Sequence, residues 1–167
     1  KALNTPAEVY TTNYEQLPWL VAHYGDKWPF KTVVADELTR LKSYRTRQGS
    51  KRAKALAQVA HTKVRRFIGL TGTPAPNGLL DLWGQVWFVD RGERLGRSFA
   101  AFEARWFTKG YDGYSIEPLP HAFGEVSALI SDICLGMEAK DYFDMPGTLI
   151  NNVYVDLPPN AMAQYRE

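Results

Sequence analysis

The run Val33-Val34-Ala35-Asp36-Glu37 puts two adjacent carboxylates at the end of a short β-branched stretch. In open α/β sheets, ligands bind at the C-terminal ends of the strands. A pair of acids there suits nucleotide hydrolysis. One can hold a hydrated Mg2+ through its water shell, and the other can orient or deprotonate the attacking water. The same two acids also suit the start of a helix, where negative side chains offset the helix dipole. On these residues alone both uses stay open. A second cluster reads Leu70-Thr71-Gly72-Thr73-Pro74-Ala75-Pro76-Asn77. Two hydroxyls flank a glycine able to take positive φ, and prolines stiffen the exit. Threonine hydroxyls there can bond a carboxylate or a terminal phosphate, or simply close a turn that caps the next helix.

The elements that must position these clusters follow from hydropathy patterning. Three segments read as strands buried on both faces: residues 8–12, Thr32-Val33-Val34-Ala35 and Phe67-Ile68-Gly69-Leu70. Short apolar runs bounded by turn signals fit a parallel sheet. Helical spacing lies between them. In residues 14–24, Leu17, Leu20, Val21 and Tyr24 fall on one stripe, and Ser50 is placed to cap a helix with Ala53, Leu56, Ala57 and Ala60 on one face. Strand and helix in alternation predict an α/β layer structure. Beyond Pro76, residues 78–89, 97–107 and 121–137 read as helices, 109–120 as an exposed loop, and 149–157 as a strand. Pro158-Pro159 then precedes a helical start. At helical spacing, Trp83, Trp87, Phe88, Phe99, Phe102, Trp106 and Phe107 read as core, whereas Tyr111 and Tyr114 read as exposed.

Of the twenty Lys and Arg residues, ten lie in residues 40–66: Arg40, Lys42, Arg45, Arg47, Lys51, Arg52, Lys54, Lys63, Arg65 and Arg66. That span holds no Asp or Glu, so a positive field sits on an otherwise acidic body. This distribution fits a polyanion partner; a solvated helix face is the plainer alternative. The single cysteine, Cys134, excludes an internal disulfide and reads as core, and the three histidines (His23, His61, His121) read as surface residues without a zinc pattern. No apolar run approaches the roughly 20 residues of a membrane helix. No secretory leader is visible, so a cytoplasmic setting is expected. The chain starts at Lys1, which reads as a cut or processed start.

Taken together, Val-Val-Ala-Asp-Glu, a basic stretch from Leu41-Lys42, and Leu-Thr-Gly-Thr-Pro-x-x-Asn resemble motifs II and III of superfamily-two helicases, in the Swi/Snf-type branch. Asn13-Tyr14-Glu15 resembles the motif Ib neighbourhood, and Leu79-Leu80-Asp81-Leu82-Trp83 the helix after motif III. Tyr142-Phe143-Asp144-Met145-Pro146, Val155-Asp156-Leu157-Pro158 and Tyr165 resemble the exit toward a second motor domain. Nearly the whole chain is covered, closest to compact phage or bacterial members. The resemblance implies a partial RecA-like (P-loop NTPase) parallel sheet with flanking helices and a helical extension. Residues 1–147 would be the C-terminal portion of the first RecA-like domain, and 148–167 the start of the connection to the second. Asp36 would hold Mg2+ through water and Glu37 would activate the hydrolytic water. Thr71, Gly72 and Thr73 would couple ATP hydrolysis to movement. Asn13, Arg40, Lys42, Lys51 and Arg52 would face DNA, expected to be double-stranded. The fourth position of motif II is Thr39, where the family often has histidine.

The 167 residues contain no Gly-x-x-x-x-Gly-Lys-Ser/Thr, so no lysine and backbone cradle are available for the β- and γ-phosphates. The expectation is a fragment of an ATP-driven DNA translocase, inactive without its P-loop segment and second RecA-like domain. Two alternatives stand beside it: a non-catalytic nucleic-acid-binding or regulatory module, and a split motor whose P-loop half is another chain.

Overall fold

The computed structural model describes residues 3, 5–46, 48–137, 151–154, 158 and 161–162. The chain divides into two units, Lys1–Cys134 and Leu135–Glu167. The first unit is a mixed α/β body with two small sheets. A 3-10 turn, Tyr14–Gln16, leads into α1, Leu17–Tyr24. Then come β1, Thr32–Ala35, a 3-10 turn over Leu38–Leu41, and α2, Lys51–Ala60. β2, Arg66–Gly69, precedes α3, Leu80–Asp90, and α4, Phe99–Trp106. β3, Phe107–Lys109, and β4, Ile116–Pro118, form a hairpin before α5, Ala122–Ile130.

β1 and β2 are parallel neighbours, with Thr32 opposite Arg66 and Ala35 opposite Gly69. Their side chains alternate. Val33 and Phe67 turn toward the core, where Phe67 stacks on Phe88 of α3. On the other face Val34 is 56% exposed, Ile68 39% and, just past the strand, Leu70 49%. Burial on both faces, expected from the apolar runs and usual for parallel strands, is therefore not met: this side of the sheet is open.

Ser50 caps α2 as its sequence predicts, accepting from the Ala53 N–H at 3.3 Å. The helix buries Ala53, Leu56 and Ala60, together with Ala55 and Val59, and packs on α1. The aromatic helices form the rest of the core: Trp83, Phe88, Phe102 and Trp106 are wholly or almost wholly buried. The Trp83 and Trp106 indole N–H groups donate to Gly96 O and Glu125 Oε2, so neither burial leaves a donor unmet.

Five further sequence expectations are corrected. Residues 8–12 form no strand, because no described strand lies beside them to pair their backbone. Tyr10 instead folds back, accepting from Ala7 N and donating to Thr5 O. Residues 109–120 are not one loop, since β3 and β4 lie at their two ends. Asp112 Oδ1 accepts from Tyr114 N, Ser115 N and Ser115 Oγ and so tightens the tip between them, leaving both tyrosines exposed. Cys134 is exposed, since α5 ends at Ile130 rather than continuing to residue 137. His61 is half-buried, its Nε2 2.8 Å from Trp87 O. Asn151–Tyr154 form no strand, and the neighbouring residues of the predicted 149–157 strand lie outside the described residues, as do Tyr142–Pro146 and Tyr165 of the proposed exit.

One glycine lets α3 approach the backbone at Leu41 and Lys42 closely. A Cβ on Gly84 of α3 would lie 2.7 Å from Lys42 O and 2.8 Å from Leu41 O, both backbone atoms. Gly124 of α5 has nothing within 4 Å of the same position. Gly84→Ala is therefore expected to destabilise by about 1–3 kcal/mol. Gly124→Ala should stabilise by roughly 0.5–1 kcal/mol through helix propensity and unfolded-state entropy. Urea unfolding of the two variants checks the opposite signs.

Candidate active site and basic face

The two strand ends that carry the acids and the threonines lie side by side. The ladder runs one step beyond the strands: Leu70 N donates to Ala35 O at 2.9 Å, and Leu38 N to Leu70 O at 2.8 Å. Asp36 and Glu37 therefore leave the sheet at the same rim as Thr71, and all but the half-buried Thr71 are exposed. Glu37 occupies the left-handed region, φ 51° and ψ 55°. For a residue with a Cβ that conformation costs about 1–2 kcal/mol, and such strain concentrates at functional sites. Asp36 Oδ1 accepts from the Glu37 N–H at 3.0 Å. Thr71 Oγ1 accepts from the Thr73 N–H at 3.2 Å, closing the loop around Gly72. Gly72 does not take the positive φ its sequence allows; Gly78, after the second proline, does, at φ 93°.

The threonine loop is tied from behind to α3. Gln85, almost fully buried, donates Nε2 to Pro74 O at 2.5 Å and to Asp81 O at 2.9 Å. Asp81 Oδ2 accepts from Asn77 N and from Lys42 Nζ, each at 3.0 Å. Lys42 follows the acidic strand end and Asn77 follows the threonines, so one carboxylate joins both segments. Lys42, expected at the DNA, is engaged in this half-buried cross-link.

A third tie was not foreseen from sequence. The Tyr14 hydroxyl donates to the Asp36 backbone carbonyl at 2.8 Å. Burial pushes the phenol pKa up, with the Arg40 charge working against that and the Asp36 and Glu37 charges adding to it. The hydroxyl therefore stays a donor at neutral pH. Asn13 caps the same 3-10 turn, its Oδ1 accepting from Gln16 N at 3.2 Å. Asn13, Tyr14 and Glu15 are placed beside the acidic tip by this short turn, and an Asn cap followed by Tyr-Glu was the available signal for it.

The basic run is less free than its composition implies. Arg40 and Arg52 both reach Glu15 Oε1, at 3.6 and 2.8 Å. Lys63 pairs with Asp26 at 3.0 Å. Arg45 turns inward over the Phe99 ring, 3.5 Å from its centroid, and burial lowers its pKa. Arg47 lies outside the described residues. Lys51, Lys54, Arg65 and Arg66 are exposed, with no ion pair among the described residues. Lys51, Arg52 and Lys54 all fall in the first turn of α2, which contains no acid. Positive charge at a helix N-terminus opposes the macrodipole, so helix stability does not account for these three cations.

Among the described residues no group of three or more His, Cys, Asp or Glu side chains could hold a metal ion by itself. No helix among them is long and apolar enough to cross a membrane.

The chain is similar to a phage protein. Over 166 residues it is 51% identical to protein p41 of Acyrthosiphon pisum secondary endosymbiont phage 1, a match that covers 97% of this chain and 36% of p41. The chain thus spans about a third of the length of the curated relative it matches. No family model and no solved structure matches it.

Proposed function

We propose that this chain is part of an ATP-driven DNA translocase, contributing the hydrolytic acids, the coupling loop and part of the DNA-facing surface of a RecA-like motor domain. The observation that carries this reading is the shared rim at which Asp36-Glu37 and Thr71-Gly72-Thr73 meet on adjacent parallel strands. A terminal phosphate at that rim is within reach of both clusters. Glu37 then orients and deprotonates the attacking water, and Asp36, whose Oδ1 accepts from the Glu37 N–H, would hold Mg2+. The exposed Asp36-Glu37 pair suits Mg2+ rather than an ion that needs an all-protein cage. This ion keeps several waters and is bound by one or two carboxylates together with substrate phosphates. Mg2+ would supply charge neutralisation at the phosphates. The open face of β1 and β2 supports the idea that helices cover Val34 and Ile68 in the working sheet. The unpaired cations of α2 support a DNA partner.

The test uses p41 with its matching segment replaced by this chain. That hybrid is expected to hydrolyse ATP in a DNA-stimulated manner. The isolated 167-residue chain, which lacks a Gly-Lys-Ser/Thr loop, is expected to stay at background. Robust DNA-stimulated hydrolysis by the isolated chain would overturn the assignment of roles.

The basic face alone also favours a second reading, a nucleic-acid-binding module without catalysis. A hybrid that binds duplex DNA with steep salt dependence but neither binds nor hydrolyses nucleotide would select it.

A further inference from the structure

Glu15 is where the basic face and the acidic tip meet. Its Oε1 is shared by two guanidinium groups, Arg52 Nη1 at 2.8 Å and Arg40 Nη1 at 3.6 Å. One oxygen between two arginines is the arrangement a phosphate oxygen takes. The fit is incomplete: Arg52 Nε is buried and has no hydrogen-bond partner among the described residues. Buried donors are nearly always paired, and a tetrahedral phosphate offers more acceptor oxygens to this fork than one carboxylate oxygen does. The Glu15 side chain is 55% exposed, so the bridge is open to competition, and exposed ion pairs are weak. The next residue back is Tyr14, in the same three-residue turn. Its hydroxyl holds the Asp36 carbonyl, and its ring lies under the Arg40 guanidinium, 5.8 Å from centroid to Cζ.

We propose that Arg40 and Arg52 form a site for a DNA backbone phosphate that Glu15 occupies as a stand-in, and that displacement of Glu15 reaches the Asp36 carbonyl through Tyr14. This rests on the DNA-motor reading and adds to it a specific link between polyanion binding and the hydrolytic tip. The phosphate enters between the two arginines, Glu15 swings out, and the turn carrying Tyr14 shifts with it. The tip at Asp36-Glu37, already held in a strained conformation, is then free to change its geometry.

The experiment measures duplex DNA binding by the 167-residue chain, using fluorescence anisotropy over a range of salt. Glu15→Gln is expected to tighten binding about fivefold and to steepen the salt dependence by about 0.9 in the log–log slope, the value of one further phosphate contact. Asp26→Asn removes an acid that pairs with another cation of the same run, Lys63, and should have a much smaller effect. In the double variant Glu15→Gln/Arg52→Ala the gain should vanish. The site is overturned if Glu15→Gln matches Asp26→Asn, or if the gain survives loss of Arg52. Inorganic phosphate at constant ionic strength should compete poorly, and strong competition would overturn the assignment to a DNA backbone in favour of a free-anion site. Tyr14→Phe keeps the ring and removes the hydroxyl. It should leave DNA affinity intact but abolish the DNA-induced change in amide exchange at Glu37 and Leu38, and an unchanged response overturns the link. If none of these proteins binds duplex DNA in a salt-dependent way, the underlying DNA reading falls with the proposal.

Discussion

Lys51→Glu combined with Lys54→Glu is expected to weaken duplex DNA binding by roughly 10²-fold near physiological salt, because two phosphate contacts are lost and two repulsive charges are added. The same double variant should be as stable as the parent or more so. Both lysines lie in the first turn of α2, where Ser50 already caps the helix and no acid offsets the dipole. A glutamate there interacts favourably with the exposed N–H groups, by about 0.3–1 kcal/mol each at low salt. Neither lysine makes an ion pair among the described residues, so no partner is orphaned by the change. The two effects have opposite signs, which separates a binding role from a folding role. Titration of labelled duplex, with urea unfolding of the same preparation, reads both. Unchanged DNA affinity would leave the α2 cations without a polyanion partner.

Much of the positioning of this site was legible in the sequence. A β-branched run ending in two acids, and a second apolar run ending in threonines, identified β1 and β2 to within a residue, because short apolar runs bounded by turn residues leave a strong local signal; that one face of the pair is open was not legible. Ser50 was legible as a cap for the same local reason, and the aromatics of α3 and α4 through their helical spacing. What could not be read depends on distant partners. Residues 8–12 have the composition of a strand, yet strand formation requires a neighbour that composition does not reveal. The pairings of the basic run are long-range: Arg52 meets Glu15 across 37 positions, and Lys42 meets Asp81 across 39. A charge count treats all ten cations alike, whereas packing ties Lys42 into a structural bridge, turns Arg45 inward and leaves Lys51 and Lys54 free of ion pairs among the described residues. The hydrogen bond from Tyr14 to the Asp36 carbonyl and the left-handed backbone of Glu37 are likewise products of how the chain returns on itself. Gly72, by contrast, kept a freedom it does not use.

The larger effect is expected at Glu37. Glutamine keeps its size and its capacity to hydrogen-bond but cannot take a proton from water. Glu37→Gln in the p41 hybrid should therefore lower the DNA-stimulated turnover number by roughly 10²–10⁴-fold, the usual worth of a positioned general base. ATP and duplex DNA binding should survive, since the change leaves the α2 cations untouched and removes no phosphate ligand from this chain. Glu37 has no hydrogen-bonded side-chain partner among the described residues and is exposed, so the fold should not suffer from the change.

Steady-state ATP turnover of the hybrid with and without Glu37→Gln, at saturating duplex DNA, is the most direct trial of the idea that the acidic and threonine strand ends make one hydrolytic rim. A collapse of turnover with nucleotide and DNA binding retained is the outcome expected. Turnover that persists undiminished in the variant would contradict it, and would leave this chain as a basic α/β body whose paired acids do no chemistry.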